Sequence, residues 1–255
     1  MTARPRLLVL LLALALLVGL ASAGQARAQE LVADLSDHLI AIDSEFTGAD
    51  LLVFGAIEGQ GDIIVLVRGP RVPVVVREKA HIFGIWLNAA SVTFNDVPAF
   101  YALASSRPPE EILDGDMRRL NEVGLDQIRL DPEPGTRIDD VQDIADFREA
   151  LVHLRQRNGL FVSEPGKVNF LGPRLFRTVI HFPAAVPVGR YTVDVILVRD
   201  GQVVQSFSPP LTVDKAGFGA DLFDFAHDDA AIYGLLAVIG AGLAGFLGSL
   251  LFRRP

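Results

Sequence analysis

Uninterrupted apolar runs lie at both ends of the chain. The first, residues 7–23, follows Arg4 and Arg6 and is too short to span a bilayer, which takes about 20 apolar residues. Ala26-Arg27-Ala28 supplies a small-x-small motif soon after it. Together these features predict a signal peptide over residues 1–28 cleaved after Ala28, with Ala21-Ser22-Ala23 as the alternative site. The second run, residues 230–252, carries no charge. As a helix rising 1.5 Å per residue it spans about 30 Å of hydrocarbon. His227, Asp228 and Asp229 precede it, and Arg253 and Arg254 follow it. Positive charge marks the cytoplasmic side. The pattern therefore predicts a single-pass inner-membrane protein with residues 29–215 in the periplasm. A juxtamembrane linker (216–229), a transmembrane helix (230–252) and a cytoplasmic tail (253–255) complete the expected layout. Phe218, Phe223 and Phe225 make the linker apolar, and the membrane interface is the favoured place for them over the ectodomain surface.

Between the ends, strand-like runs are punctuated by turn signals. Residues 38–43, 50–57 and 62–67 are apolar runs, the last two separated by Glu58-Gly59-Gln60-Gly61. Residues 72–76 contain Pro73, which cannot donate to a ladder, so this strand lies at an edge or begins after the proline. Residues 82–87 and 91–94 are two further short apolar pieces. Later, residues 175–182 predict a strand, and residues 190–199 and 202–207 flank Asp200-Gly201. Asp-Gly between β-rich runs predicts a hairpin, because both turn positions need positive φ. Tyr191, entering that hairpin after Pro187-Val188-Gly189, is either an ordinary strand tyrosine or a corner whose hydroxyl bonds back to the backbone.

Residues 108–158 change period. Pro109 opens a short helix over 109–113, and 116–123 predicts a second. Over 139–157, Val141, Ile144, Phe147, Leu151 and Leu154 recur at spacings of three and four, giving one apolar stripe. Acids in its first turn and Arg155 and Arg157 in its last complement the helix dipole. Asn158-Gly159 then suits a left-handed cap. The expected fold is mainly β: an antiparallel immunoglobulin-like sandwich of seven or eight strands with a helical insertion at about 108–158, plus the terminal helix.

Composition narrows the chemistry. The 255 residues include no cysteine, which excludes disulfides, thiol catalysis and cysteine metal sites. The formal charge of −8 becomes −11 once Arg4, Arg6 and Arg27 leave with the signal peptide. An acidic chain without a basic cluster argues against nucleic acid as a partner, and against binding anionic lipid beyond Arg253 and Arg254. The five histidines are scattered, with no pair at metal-ligand spacing, although His38 and His181 could meet in the fold. No nucleophile elbow, phosphate loop or dinucleotide fingerprint is present. Asp114, Asp116, Asp126, Asp131, Glu133, Asp139 and Asp140 make the insertion acidic without the spacing of a calcium-binding loop. No cofactor, metal or catalytic residue is expected.

Two segments are candidate contact surfaces. Residues 84–101 hold the single tryptophan, and Trp86, Asn88, Phe100 and Tyr101 are either a candidate partner surface or, the more common fate of such aromatics, part of the core. In the terminal helix Ala237, Ala241, Gly245 and Ser249 recur every four residues, and Gly240, Ala244 and Gly248 repeat this on the adjacent row. Such rows let helix backbones approach closely, predicting association with a second copy or a polytopic membrane protein.

Several motifs carry a family resemblance over nearly the whole chain. They are Leu52-Val53-Phe54-Gly55-Ala56, Val67-Arg68-Gly69-Pro70, Gly84-Ile85-Trp86-Leu87-Asn88, Val97-Pro98-Ala99-Phe100-Tyr101, the Pro187-x-Gly189-x-Tyr191 turn and Tyr233-Gly234. With the leader, they resemble a family of alphaproteobacterial single-pass transmembrane proteins of unassigned function. The resemblance implies an inner-membrane protein facing the periplasm and, through neighbouring genes for sulfite-exporter-like permeases, a transport partner. The expected function is a membrane-anchored periplasmic accessory or binding protein associated with another inner-membrane protein such as a transporter. The alternatives are a membrane-anchored periplasmic hydrolase with a site between the helical insertion and the sheet, and an envelope structural protein with no specific ligand.

Overall fold

The computed structural model describes residues 30–82, 84–134, 141–217 and 225–252. The expected signal peptide and cytoplasmic tail lie outside them, as do residues 218–224 of the expected linker.

The chain begins with β1 (Leu31–Leu35), β2 (Leu39–Ile42), β3 (Gly48–Ile57) and β4 (Asp62–Arg68). A long hairpin of β5 (Arg71–Ile82) and β6 (Ile85–Pro98) follows, then β7 (Tyr101–Ser105). The insertion comprises α1 (Pro109–Ile112), α2 (Gly115–Asn121), a 3₁₀ turn (Leu125–Gln127), β8 (Asp131–Pro132) and α3 (Val141–Arg157). Next come β9 (Gly166–Lys167), β10 (Asn169–Leu171), β11 (Leu175–Pro183), β12 (Gly189–Arg199), β13 (Gln202–Phe207) and β14 (Pro210–Lys215). The last element is α4 (Ala230–Phe252). The fold is mainly β, as the alternation predicts.

The strands form three sheets. The first has the order β1-β3-β11-β10 and is antiparallel throughout. The second has the order β2-β14-β12-β4-β7-β9, with β13 also pairing β12. The third is β5-β6-β8. Contrary to a purely antiparallel sheet, β2–β14 and β7–β9 are parallel. The first parallel contact arises because the N-terminal segment changes sheets over Ser36-Asp37-His38. Ser36 N still donates to Leu52 O in the first sheet, and His38 O already accepts from Thr212 N in the second.

β4 has an unbroken apolar run, Ile63 to Val67, and every residue of it is buried. Such a run marks a strand covered on both faces. Ile63, Val65 and Val67 join one core cluster with Val53, Phe176 and Phe182 of the first sheet. Ile64 and Leu66 point the other way, into a cluster with Val76, Val92 and Phe94 of the hairpin and Leu113, Val123, Phe147 and Leu151 of the insertion. β7 and β12 divide their side chains between the two clusters in the same way.

Local signals explain most boundaries. Asp200 and Gly201 have φ of 50° and 74°, as the hairpin turn requires. Pro73 falls where the β5–β6 register shifts between Val72 and Val74, so its missing N–H costs no ladder bond. In α3, Phe147 and Leu151 are buried, whereas Leu154 of the predicted stripe is exposed, so the last turn overhangs the core. The β5–β6 hairpin is the main element the pattern did not announce. Ile82 and Ile85 pair across its end, and the sequence between them contains no polar turn pair.

Two polar devices pin the packing. Tyr191 Oη donates to Pro187 O at 2.6 Å, which makes it a corner. Glu122 is 5% exposed and caps α2 in the left-handed region with φ 55°. Its carboxylate accepts from Arg68 Nη1 at 2.9 Å, Arg71 Nη2 at 2.6 Å and Arg129 N at 3.3 Å. Arg68 also binds Asp194 of β12. Burial by itself pushes the Glu122 carboxyl up, but Arg71, the Arg129 N–H and Arg68 outweigh it and hold it below the usual carboxylate range. Burial likewise lowers Arg68, and Asp194 and Glu122 more than restore it.

Tyr191→Phe removes the corner bond while keeping the ring, and is expected to cost about 1 kcal/mol in thermal unfolding of the full chain in detergent. A carboxyl with a lowered native pKa contributes stability above its unfolded value, about 4.3, and loses it as pH falls through the native value. The unfolding midpoint of the wild-type chain should therefore drop below about pH 4. Glu122→Gln should cost about 3 kcal/mol at neutral pH and flatten that acid limb. A variant with the wild-type acid limb would show that another carboxyl carries it.

Candidate functional site

The structure separates the four residues of the expected partner surface. Trp86 lies on β6 next to the hairpin turn and is 65% exposed, with Asn88 exposed beside it. Across the hairpin His81 faces Trp86 in register, their rings edge to face with centroids 5.1 Å apart. Phe100 and Tyr101 are buried instead. Phe100 stacks on Phe182 at 4.8 Å in the core shared with the first sheet. Tyr101 points into the other cluster, where its hydroxyl donates to Glu122 O and accepts from Gly124 N, both at 2.8 Å. Burial pushes the Tyr101 phenol well above its ordinary range, so it stays protonated. Alternation in β7 forces this split, since neighbouring strand residues point to opposite faces and both faces are covered.

A different surface emerges on the outward face of the first sheet. Val32 pairs with Ala56, Ala56 with Leu175, and Leu175 with Leu171, so one row of apolar side chains crosses all four strands. Phe54 and Val179 extend it on the same face; Leu175 and Val179 are each 54% exposed. An antiparallel sheet with a solvated face usually turns polar residues outward. Here the polar members include Asp34, Arg177 and its cross-strand neighbour Asn169, and the Asp50–His181 pair, with His181 Nδ1 2.7 Å from Asp50 Oδ1. The signal was present in β11, where Leu175 and Val179 alternate with the inward Phe176, Ile180 and Phe182, leaving both faces apolar.

The histidines do not assemble a metal site. His181 pairs with Asp50, and His38 Nε2 lies 3.2 Å from Asp34 Oδ1. Among the described residues no group of three or more His, Asp or Glu side chains converges. Three acids of the insertion have structural partners: Asp114 caps α2 through Met117 N at 2.8 Å, Asp116 meets Arg119 at 3.3 Å, and Asp126 lies 3.7 Å from Arg118; Asp139 and Asp140 lie outside the described residues.

A polar cleft of about 630 Å³ does lie between the insertion and the sheet, lined by Asp62, Arg107, Glu110, Glu111, Asp114 and Arg199 among others. Asp62 accepts from Arg107 Nε at 3.0 Å and Ser106 Oγ at 2.8 Å, and Arg107 Nη2 reaches its second oxygen. The Arg107 hydrogen bond outweighs burial and holds the Asp62 carboxyl below the usual range. Asp62 is thus a saturated, ionised acceptor, poorly suited to giving or taking a proton.

α4 contains both expected small-residue rows, Ala237, Ala241 and Gly245, and Gly240, Ala244 and Gly248; the side chain of Ser249 lies outside the described residues. A Cβ placed on Gly240, Gly245 or Gly248 would meet nothing within 4 Å, so packing inside this chain does not demand glycine there. Residues 230–248 have a mean hydropathy of 2.1, long and apolar enough to cross a membrane.

No curated protein and no solved structure matches the chain. The sequence model of a family described as "Putative transmembrane protein (Alph_Pro_TM)" matches residues 30–254, nearly the whole length, and the chain belongs to that family.

Proposed function

We propose that this is a membrane-anchored periplasmic accessory protein whose ectodomain docks on another inner-membrane protein such as a transporter. The observation that carries this reading is the apolar outward face of the first sheet, on an acidic chain that a single apolar helix ties to a membrane. Contiguous exposed apolar surface marks an interaction site in a soluble domain. The small-residue rows of α4 offer a second contact in the bilayer, against a polytopic partner or another copy. Expected orientation follows from Arg253 and Arg254, which belong on the cytoplasmic side.

An immunoglobulin-like sandwich is the fold reading that goes with this role. It is supported by the N-terminal segment shared between two sheets, by the order β1-β3-β11-β10 beside β2-β14-β12-β4-β7, and by the Tyr191 corner. Such domains serve widely as binding modules, which is an argument by analogy of fold. The alternative, a hydrolase working in the cleft between the insertion and the sheet, has the polar lining in its favour. The ion-paired state of Asp62 weighs against it.

Crosslinked pull-down of the tagged chain from native membranes tests the reading. Wild type should recover a stoichiometric polytopic membrane protein. Leu175→Arg should reduce that recovery about tenfold, the effect of losing one anchoring contact, whereas Val204→Arg on exposed β13 should not. Equal recovery with Leu175→Arg would remove the sheet face from the interface. Absence of any membrane partner would end the accessory reading.

A further inference from the structure

The β5–β6 hairpin is longer than the core requires. Its strands have twelve and fourteen residues, an arm of roughly 40 Å at 3.4 Å per residue. The inner half is anchored by Val76, Val92, Phe94 and Val97. From Arg77 out to the turn and back to Ser91, none of the described side chains is buried. β8 pairs only with Phe94 and Asn95, so among the described residues no third strand supports the outer half. A two-stranded ribbon standing alone in water is marginal.

Its chemistry is graded along its length. Ile82 and Ile85 pair across the end of the hairpin, and Gly84 has a positive φ of 83°. Ile85 is 62% exposed and Trp86 65%. Between residues 80 and 91 the sequence has no Asp, Glu, Lys or Arg. Arg77 and Lys79 stand behind the tip, with Glu78 as the one acid among them. Apolar tip, amphipathic indole and cations behind it reproduce the order of a bilayer surface: acyl chains, interface, anionic headgroups. In a chain with a net charge of −8, local cations beside an apolar tip complement anionic lipid.

Reach is sufficient. Lys215 at the end of β14 and Ala230 at the start of α4 are fifteen residues apart, at most about 50 Å of fully extended chain. The ectodomain therefore stays within roughly one arm length of the membrane that holds α4.

We propose that the hairpin tip, Ile85 and Trp86, inserts into the interfacial region of that same bilayer, with Arg77 and Lys79 at the lipid phosphates. The His81 ring, edge-on to the indole, holds Trp86 in its outward orientation. The arm is then a second membrane attachment, and its apolar tip is covered by lipid, not by a protein surface.

Trp86 is the only tryptophan in the chain, so its fluorescence reports the tip directly. The full chain is reconstituted into vesicles of phosphatidylethanolamine and phosphatidylglycerol, with and without acyl-brominated lipid, and Trp86→Phe serves as the blank. Insertion predicts blue-shifted emission, and bromolipid should quench it by about half or more. Arg77→Glu with Lys79→Glu should lower that quenching. The emission of a water-exposed indole, indifferent to bromolipid, overturns the proposal. So does blue-shifted emission that bromolipid does not quench, which would place the tip against protein, in a second copy or elsewhere in this chain. Since the vesicles contain no other protein, the outcome does not depend on the partner proposed above.

Discussion

Burial of the middle sheet on both faces is the constraint from which the rest of this molecule follows. β4, β7 and β12 carry apolar side chains in consecutive positions, so each needs a cover above and below. The first sheet supplies one cover. The other is built from unlike parts: the base of the β5–β6 hairpin, the short helices and α3. The insertion between β7 and β9 is thus a layer of the core, although its sequence reads as an interruption of a β domain. Each fully buried aliphatic side chain of the middle sheet contributes about 1.5–3 kcal/mol, and those on the second face contribute only if the insertion docks.

Docking is registered by charge. Glu122 comes from the end of α2, Arg68 from the end of β4, Arg71 from the start of β5 and Asp194 from β12. Ionic pairs at a buried boundary repay little of their desolvation unless their geometry is satisfied on all sides. Here Glu122 accepts from two guanidinium groups and a backbone N–H, and Tyr101 ties its carbonyl to the sheet. The cluster therefore acts more as a register mark between insertion and sheet than as a large net source of stability. Glu122 could not be singled out in sequence. Its value depends on three segments converging, and nothing local distinguishes it from the exposed acids around it.

The same distinction separates what could be read from the chain and what could not. Signals that act within a few residues were legible: Asp200-Gly201 as a turn, Pro73 at an irregular point of its strand, Tyr191 as one of two readings, and the stripe Phe147 and Leu151 of α3. Signals that depend on which faces are covered were not. Phe100 and Tyr101 look like a surface aromatic pair when a one-sided sheet is assumed, and the two-sided burial of β7 places both in the core. The hairpin reads as separate apolar pieces because the sequence between Ile82 and Ile85 contains no polar turn pair. The outward face of the first sheet is hidden for the opposite reason, since Leu175 and Val179 read with their neighbours as one strand and nothing local assigns them a side.

Among the described residues, completing the core leaves the row on the first sheet and the tip of the hairpin exposed. For a free protein neither would be a strong site. A stable protein interface typically buries more than 1,000 Å² in total, and a tip of two exposed apolar side chains is far smaller. Anchoring changes the terms. A helix in the bilayer restricts the ectodomain to a thin layer beside the membrane, and a second contact made within reach of a tether behaves as an intramolecular event, with an effective concentration of order millimolar for short linkers. Surfaces too weak to hold a diffusing protein then suffice to orient a tethered one. On this argument α4 and the two apolar features are parts of one device. In the proposed arrangement the helix limits the distance to the membrane, the arm adds a second attachment, and the sheet face is left for whatever shares that bilayer.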